Sequence, residues 1–257
     1  MPRLHLFELE DQHWFPKTIR NYMTDYLQHV TNSFDMYKTI GPVLKKGLDS
    51  TDTKQIIDLC SGGGGGWMKL ADHIKEEFPG TKVHMSDFYP NIPAFERHQK
   101  AHPEVIEYED QSVNAMEVPN ELKGLRTQFL SFHHFKPEGG KKILQNAVDA
   151  GQPIAIFEAQ QRSVAHFVQF FFSPIFVLLM TPAIKPFSIG RLVFTYLIPV
   201  VPLFIWFDGL VSVLRTYSPK ELQKLIDQLD NGDRFNWEIS FVKSGPSKVY
   251  YLLGTPQ

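Results

Sequence analysis

The feature that most constrains this chain is a run of five glycines, Gly62 to Gly66, set behind the apolar stretch Ile56-Ile57-Asp58-Leu59. A helical pattern follows at once, with Met68, Leu70, Ala71 and Ile74 apolar and Lys69, Asp72, Lys75 and Glu76 between them. The order is strand, glycine turn, helix. Glycine takes positive φ without strain and puts no Cβ between the main chain and a ligand. Five in sequence carry a large unfolded-state entropy, far more than a structural turn requires. The layout predicts a helix N-terminus and a bare main chain offered to a nucleotide-like ligand.

Strand and helix patterns alternate around this turn. Strands are predicted at 55–60, 82–87, 105–108, 126–131 and 153–158, and helices at 67–78, 91–102 and 137–149. Pro79-Gly80 and Pro103 stop two of the helices. The stretch Pro153-Ile154-Ala155-Ile156-Phe157-Glu158 is almost wholly apolar, as a parallel strand buried on both faces requires. Such alternation implies an α/β fold, a doubly wound, Rossmann-like, mostly parallel sheet with ligands at the C-terminal strand ends. Residues 1–50 read as a helical cap, with Ile19, Tyr22, Met23, Tyr26, Leu27 and Val30 at helical spacing and Gly41-Pro42 as punctuation. Trp14, Phe15, Tyr22 and Tyr26 are expected to pack on the main domain. Ser218-Pro219-Lys220-Glu221 is a capping box, and 235–242 with 248–253, joined through Gly245-Pro246, predict an antiparallel C-terminal hairpin on the sheet edge. The chain divides as one domain over 1–257: cap 1–50, cofactor-binding core 54–160, apolar insertion 163–217, and C-terminal helix and hairpin 218–257.

Charge and composition narrow the partners. The 257 residues carry 28 acids against 26 Lys and Arg, a formal charge of −2, so no basic field exists to hold nucleic acid. Cys60 is the one cysteine, which excludes an internal disulfide and fits a reducing compartment. Met1 to Glu8 carries no apolar signal core, so a cytoplasmic location is expected. Many of the 21 phenylalanines crowd into the insertion, where Val164–Ile184 and Leu192–Phe207 hold no Lys, Arg, Asp or Glu. Three readings compete for it: a transmembrane hairpin, a segment dipping into one leaflet, and a lid over a lipophilic acceptor. Pro199 and Pro202 break the second run, and Lys185 and Arg191 would lie beyond the membrane against the positive-inside tendency, so a span ranks last. Asp208 and Arg215, about two helical turns apart, are expected to cap or ion-pair within the fold.

The residues around the glycine turn resemble class I S-adenosylmethionine-dependent methyltransferases over roughly 54–160. Asp58, Cys60, Gly62 and Gly64 follow that family's first motif, an acid and then alternate positions, with Cys60 where the family has its first glycine. Asp87 ends the second strand, where a carboxylate can accept both ribose hydroxyls. Asn114-Ala115 with Pro119 is similar to the segment whose acid accepts from the adenine amino group; Asp110 is the alternative for that role. Leu130-Ser131-Phe132-His133-His134-Phe135 resembles the apolar-His-His-apolar sequence behind the fourth strand. The pattern from Phe7-Glu8-Leu9-Glu10-Asp11 through Asp208-Gly209-Leu210-Val211-Ser212 resembles bacterial methyltransferases of unassigned substrate. The resemblance implies S-adenosylmethionine as cofactor. It implies contacts from Asp58, Cys60, Ser61, Gly62, Gly63, Gly64, Asp87, Phe88, Asn114, Ala115, Ser131 and Phe132.

A sulfonium methyl group is already activated, so such an enzyme must align the acceptor and exclude water. An acceptor of high pKa also needs a base. His133 and Glu158 are the candidate catalytic groups, because histidine titrates near neutrality and Glu158 ends the fifth strand. His134 is expected to orient its loop. No His, Cys and acid cluster shows metal-ligand spacing, and adjacent histidines serve one ion poorly, so no metal is expected. The expected function is methyl transfer to a hydrophobic small molecule at or near a membrane surface. Two alternatives remain: a non-catalytic Rossmann-like module docking to a membrane or protein, and an NAD(P)-dependent oxidoreductase. The all-glycine loop lacks the Gly-x-Gly-x-x-Gly spacing distinctive of the last.

Overall fold

Five short strands run parallel: β1 (Gln55–Asp58), β2 (Lys82–Met85), β3 (Ile106–Tyr108), β4 (Leu125–Phe129) and β5 (Ile154–Glu158). The hairpin β6 (Phe235–Ser244) and β7 (Ser247–Pro256) adds two antiparallel strands, β7 pairing with β5. The sheet order is β3-β2-β1-β4-β5-β7-β6. This computed structural model describes residues 1–245 and 247–257; Pro246, half of the expected Gly245-Pro246 joint, lies outside the described residues.

Alternation along the strands fills two layers. From β1, Ile56 faces a cluster built with α2 (Gly41–Leu48), α3 (Trp67–Glu77) and Phe95 of α4 (Ile92–Ala101). Ile57 faces the other side, against Ile143, Leu144 and Ala147 of α5 (Pro137–Asp149) and Leu225 and Ile226 of α10 (Pro219–Ile226). α10 begins with the expected capping box of Ser218 and Glu221. Gly41-Pro42, expected to punctuate, instead opens α2, because a first-turn proline gives up only an N–H that has no helical acceptor. Strands β1 and β4 end sooner than the apolar runs suggest. Cys60 and Leu130 take φ of 59° and 49°, which leaves the extended region and turns the chain out of the sheet.

The third cluster lies outside the sheet layers. α1 (Lys17–Ser33) presents Ile19, Met23 and Tyr26, with Phe15 just ahead of it, to Val177, Ile184, Val201 and Ile205 of the insertion. The insertion consists of α6 (Val164–Phe171), α7 (Ser173–Met180), α8 (Ile189–Leu192), which runs on as a π turn through Leu197, and α9 (Val200–Arg215). Trp14 stays exposed, apart from the packing expected of it, while Phe15 and Tyr26 are buried.

Gly124 opens β4 at φ +140°, and a Cβ there would strike the carbonyl oxygen of Gln55 on the neighbouring strand. Gly124→Ala is expected to lower stability by roughly 2–3 kcal/mol, read from urea unfolding with an unchanged m-value. A loss below about 0.5 kcal/mol, the size of a surface change, would contradict this placement.

Candidate functional site

The glycine turn sits at the switch point of the sheet, between β1 with its neighbour β2 on one side and β4 on the other. Its anchor is Asp58, which is 2% exposed. Ser61 Oγ donates to Asp58 Oδ2 at 2.6 Å and Thr127 Oγ1 to Oδ1 at 2.8 Å, so one carboxyl ties the turn to β4. Burial pushes this carboxyl up to about 7, against the hydrogen bonds from Ser61 and Thr127. Gly62 N–H donates to Asp87 Oδ2 and Tyr89 N–H to Oδ1, both at 2.8 Å, so Asp87 bridges the turns behind β1 and β2. The glycines divide their work. Gly62 and Gly65, both at positive φ, face open space, while a Cβ on Gly64 would collide with the buried His98 ring. Cys60 adopts φ 59° where glycine would be unstrained, and burial together with the nearby Asp87 and Asp58 pushes its thiol up.

A cavity of about 760 Å³ opens over this turn. Of the residues expected at a cofactor, Cys60, Ser61, Gly62, Gly63, Asp87, Phe88 and Ser131 line it. The Ser131 hydroxyl is buried and lacks a partner. Asp58, Gly64, Asn114, Ala115 and Phe132 are off the wall. Asp58 and Gly64 support the turn from beneath. Asn114 Oδ1 accepts from Met116 N–H at 3.0 Å and its carbonyl from Glu117 N–H, so its acceptors close a local turn. Ala115 is core, and Phe132 faces Tyr217 at 5.3 Å. A second cavity, about 420 Å³, lies against β5 and β7, and Glu158 and Phe132 line it. It touches no residue of the glycine turn; the switch-point position selects the larger one.

The opposite wall comes from residues that periodicity did not single out. Lys17, Arg20, Thr24 and Gln28 of α1 face the cavity, as do Glu10, Asp11 and Phe15. In the sequence, the polar face of α1 is indistinguishable from a solvated one. No insertion residue lines the cavity among the described residues, so α1 is the lid and the insertion buttresses it from outside.

The segment 6–12 is strapped down by the end of α9. Asp208 accepts from Leu9 N–H at 2.8 Å and Glu10 N–H at 3.1 Å. Arg215 donates to Leu6 O and pairs with Asp11 Oδ2 at 2.6 Å and Glu8 Oε1 at 3.2 Å. Arg20 donates to the carbonyls of Glu10 and Gln12. Asp208 and Arg215 thus share one helix face, as their spacing suggested, and both serve the fold. The strap meets His134, whose Nδ1 lies 2.8 Å from Asp11 Oδ1 and 3.1 Å from Glu8 Oε2. Burial opposes the imidazolium, but Glu8, Asp11 and Glu10 outweigh it and push His134 up to about 10. His133 is 3% exposed, behind the wall. Its Nδ1 lies 3.0 Å from both Glu158 oxygens, and its ring is 4.4 Å from that of His134. His134 reaches the cavity; His133 and Glu158 do not.

The fold has relatives of known structure. The chain is similar to a Nostoc punctiforme protein assigned as an O-methyltransferase, with TM-score 0.51 and 12% identity over 90% of this chain and 59% of that one. It is similar to the pyocyanin biosynthetic protein PhzM, with TM-score 0.50 and 14% identity over 85% of this chain and 54% of that one. No family model and no curated protein matches the sequence. At these identities the likeness shows the fold, that of a class I methyltransferase, and the chain spans little more than half the length of either protein.

Because the Asp58 carboxyl is raised from its ordinary 3.8 to about 7, the folded state holds this proton more tightly than the unfolded chain. Its contribution to stability is complete below about pH 3.8 and is lost as pH rises through about 7. Asp58→Asn removes that titration. The stability gap between wild type and variant is expected to narrow between pH 5 and 8 in urea unfolding; a constant gap would contradict it.

Proposed function

We propose that this chain transfers a methyl group from S-adenosylmethionine to a lipophilic small molecule delivered from a membrane surface. The observation that carries the cofactor half is the cavity wall itself: bare Gly62 and Gly65, the unpartnered Ser131 hydroxyl, Asp87 and exposed Phe88, at the switch point of this fold. The cavity volume of about 760 Å³ lies within the range of about 300–1,000 Å³ usual for small-molecule sites. Asp87, Phe88, Ser131 and the main chain at Gly62 would hold the cofactor. Asn114 is off the wall of this cavity, which leaves the adenine edge to other groups. Bound there, S-adenosylmethionine supplies a methyl group already activated on sulfur.

The protein's own task is then alignment and dehydration. α1 and the 10–15 segment close the cavity from above, and Phe15, Leu27, Phe129 and Phe135 give it apolar walls for an acceptor. Glu158 fixes the ring of His133, and His133 supports His134, the member of the trio on the wall. His133 and Glu158 act as a positioning pair in this reading.

The membrane half rests on the insertion's outer face. Phe171, Phe172, Ile175 and Phe176 are about half exposed, and Leu179 and Leu197 are 73% and 77% exposed. Such a contiguous apolar surface marks an interaction site. No single helix among the described residues is long and apolar enough to cross a membrane. Two bent pairs reach that length together, at 44° and 76°. Arg191, between the two runs, is buried, with its guanidinium on Asp25 of α1 and on the carbonyls of Ile184 and Pro186. This pins the loop between the pairs to the lid, which favours lying in one leaflet over crossing.

Two measurements test these halves separately. Calorimetry is expected to show S-adenosylhomocysteine binding that Asp87→Ala weakens more than tenfold, about 1.4 kcal/mol; absence of binding at millimolar ligand would sink the cofactor reading. Cosedimentation with phosphatidylcholine–phosphatidylglycerol vesicles is expected for wild type. The double variant Leu179→Glu, Leu197→Glu should lower the bound fraction at least fivefold, and equal sedimentation of the two would refute the leaflet contact.

A further inference from the structure

We propose that Glu8, His133 and His134 form a binding site for one divalent transition-metal ion at the edge of the cavity. A ligand atom from each of the three lies within 4.8 Å of the other two. The residues come from opposite ends of the fold: the histidines from the turn behind β4, the glutamate from the N-terminal strap. Adjacent histidines ordinarily diverge. Here the 3-10 turn Phe132–His134 sets their rings side by side, 4.4 Å apart and inclined by only 31°.

Glu8 supplies the second, independent observation. Its side chain is fully buried. Oε1 is engaged by Ser212 and Arg215, but Oε2 has no hydrogen-bond partner. It lies 3.1 Å from His134 Nδ1, which is instead directed at Asp11 Oδ1 at 2.8 Å. A fully buried carboxylate oxygen without a hydrogen bond costs free energy, and only the His134 ring faces this one. Glu8, Glu10, Asp11 and Asp208 converge here, and Arg215 is the one guanidinium ion-paired to them among the described residues. A divalent ion that displaces the ring proton of His134 adds positive charge where carboxylates are in excess.

The surroundings are those of a metal centre. His133 is held at Nδ1 by Glu158, the carboxylate–histidine arrangement that fixes a ligating ring and raises its basicity. His134 Nδ1 faces both Asp11 Oδ1 and Glu8 Oε2, so an ion bound there takes the place of its proton. Two imidazoles and a carboxylate select a zinc-like ion over magnesium or calcium, which prefer all-oxygen shells. Tetrahedral ligands about 2.0 Å from zinc stand about 3.3 Å apart, so binding draws the three inward by about an ångström. His134 lines the cavity, so the ion sits where it can offer an open position to an acceptor's oxygen; that last consequence rests on the methyl-transfer reading, the site itself does not.

The experiment uses the full chain, stripped with a chelator and titrated with Zn²⁺ by calorimetry, with retained zinc measured by mass spectrometry after gel filtration. The expected result is one equivalent per chain at a dissociation constant below 10 μM. Glu8→Gln and His133→Ala should each weaken it at least tenfold, and His166→Ala, a histidine outside the cluster, should leave it unchanged. No retained equivalent in wild type, or retention indifferent to Glu8→Gln, overturns the site. If Glu8→Gln does not fold, the Co²⁺ spectrum of wild type decides: imidazole-ligated visible bands support the site, and the spectrum of the free aqueous ion overturns it. S-adenosylhomocysteine binding, measured alongside without metal, keeps failure here separate from failure of the methyl-transfer reading.

Discussion

The arrangement depends first on one buried carboxyl. Asp58 accepts from Ser61 on one oxygen and Thr127 on the other, which locks the glycine turn onto β4 across the switch point. Parallel strands that diverge in connection leave a crevice there, and without this tie the turn would have no fixed height above it. Asp87 repeats the device one strand over, through Gly62 N–H. The cavity floor is therefore set by two acids whose charges lie close to each other, and burial together with that proximity keeps the Asp58 carboxyl raised. Strain joins them: Cys60 and Leu130, both non-glycine at positive φ, flank the crevice at the ends of β1 and β4. Strain at paired positions around a site is common where the surrounding packing over-determines the backbone.

A second dependence runs through α1. Its polar face looks into the cavity and its apolar face onto the insertion, so it serves as lid and core at once. That explains why the insertion is so apolar without touching the cavity. Its inner face must bury Ile19, Met23 and Tyr26, and its outer face leaves Phe171, Phe172, Leu179 and Leu197 exposed. The Arg191–Asp25 pair couples the two, so a displacement of α7–α9 on a membrane would carry α1 with it.

Strand order, the two core layers and the hairpin were legible because period-2 and period-3.6 patterns report burial directly. The glycine turn and the acid that braces it were legible for a related reason. Backbone demands at Gly62 and the acid at Asp87 are local, and local demands leave a mark in the sequence. Asn114 shows the limit: a residue of suitable chemistry at a familiar position had already committed its oxygen to Met116 N–H, which spacing does not reveal. The opposite wall of the cavity was hidden for a different reason. Nothing in the spacing of Glu8, Glu10 and Asp11 shows that Asp208 and Arg215, about 200 residues away, fold them against His134.

The same long-range closure explains why acids collect on this wall of the cavity. A strap made of apolar residues would pack, but its register on α9 would be loose. Charged groups with fixed partners specify one register, and Asp208 on consecutive N–H groups of Leu9 and Glu10 admits only one. The consequence is a surplus of negative charge in a half-buried place. Burial pushes the Glu10 carboxyl up, against His134 and with the neighbouring acids. Arg215 and His134 answer others, and Glu8 Oε2 makes no hydrogen bond and faces only the His134 ring at 3.1 Å. The wall that closes the cavity thus carries more carboxylates than cationic side chains to pair with them.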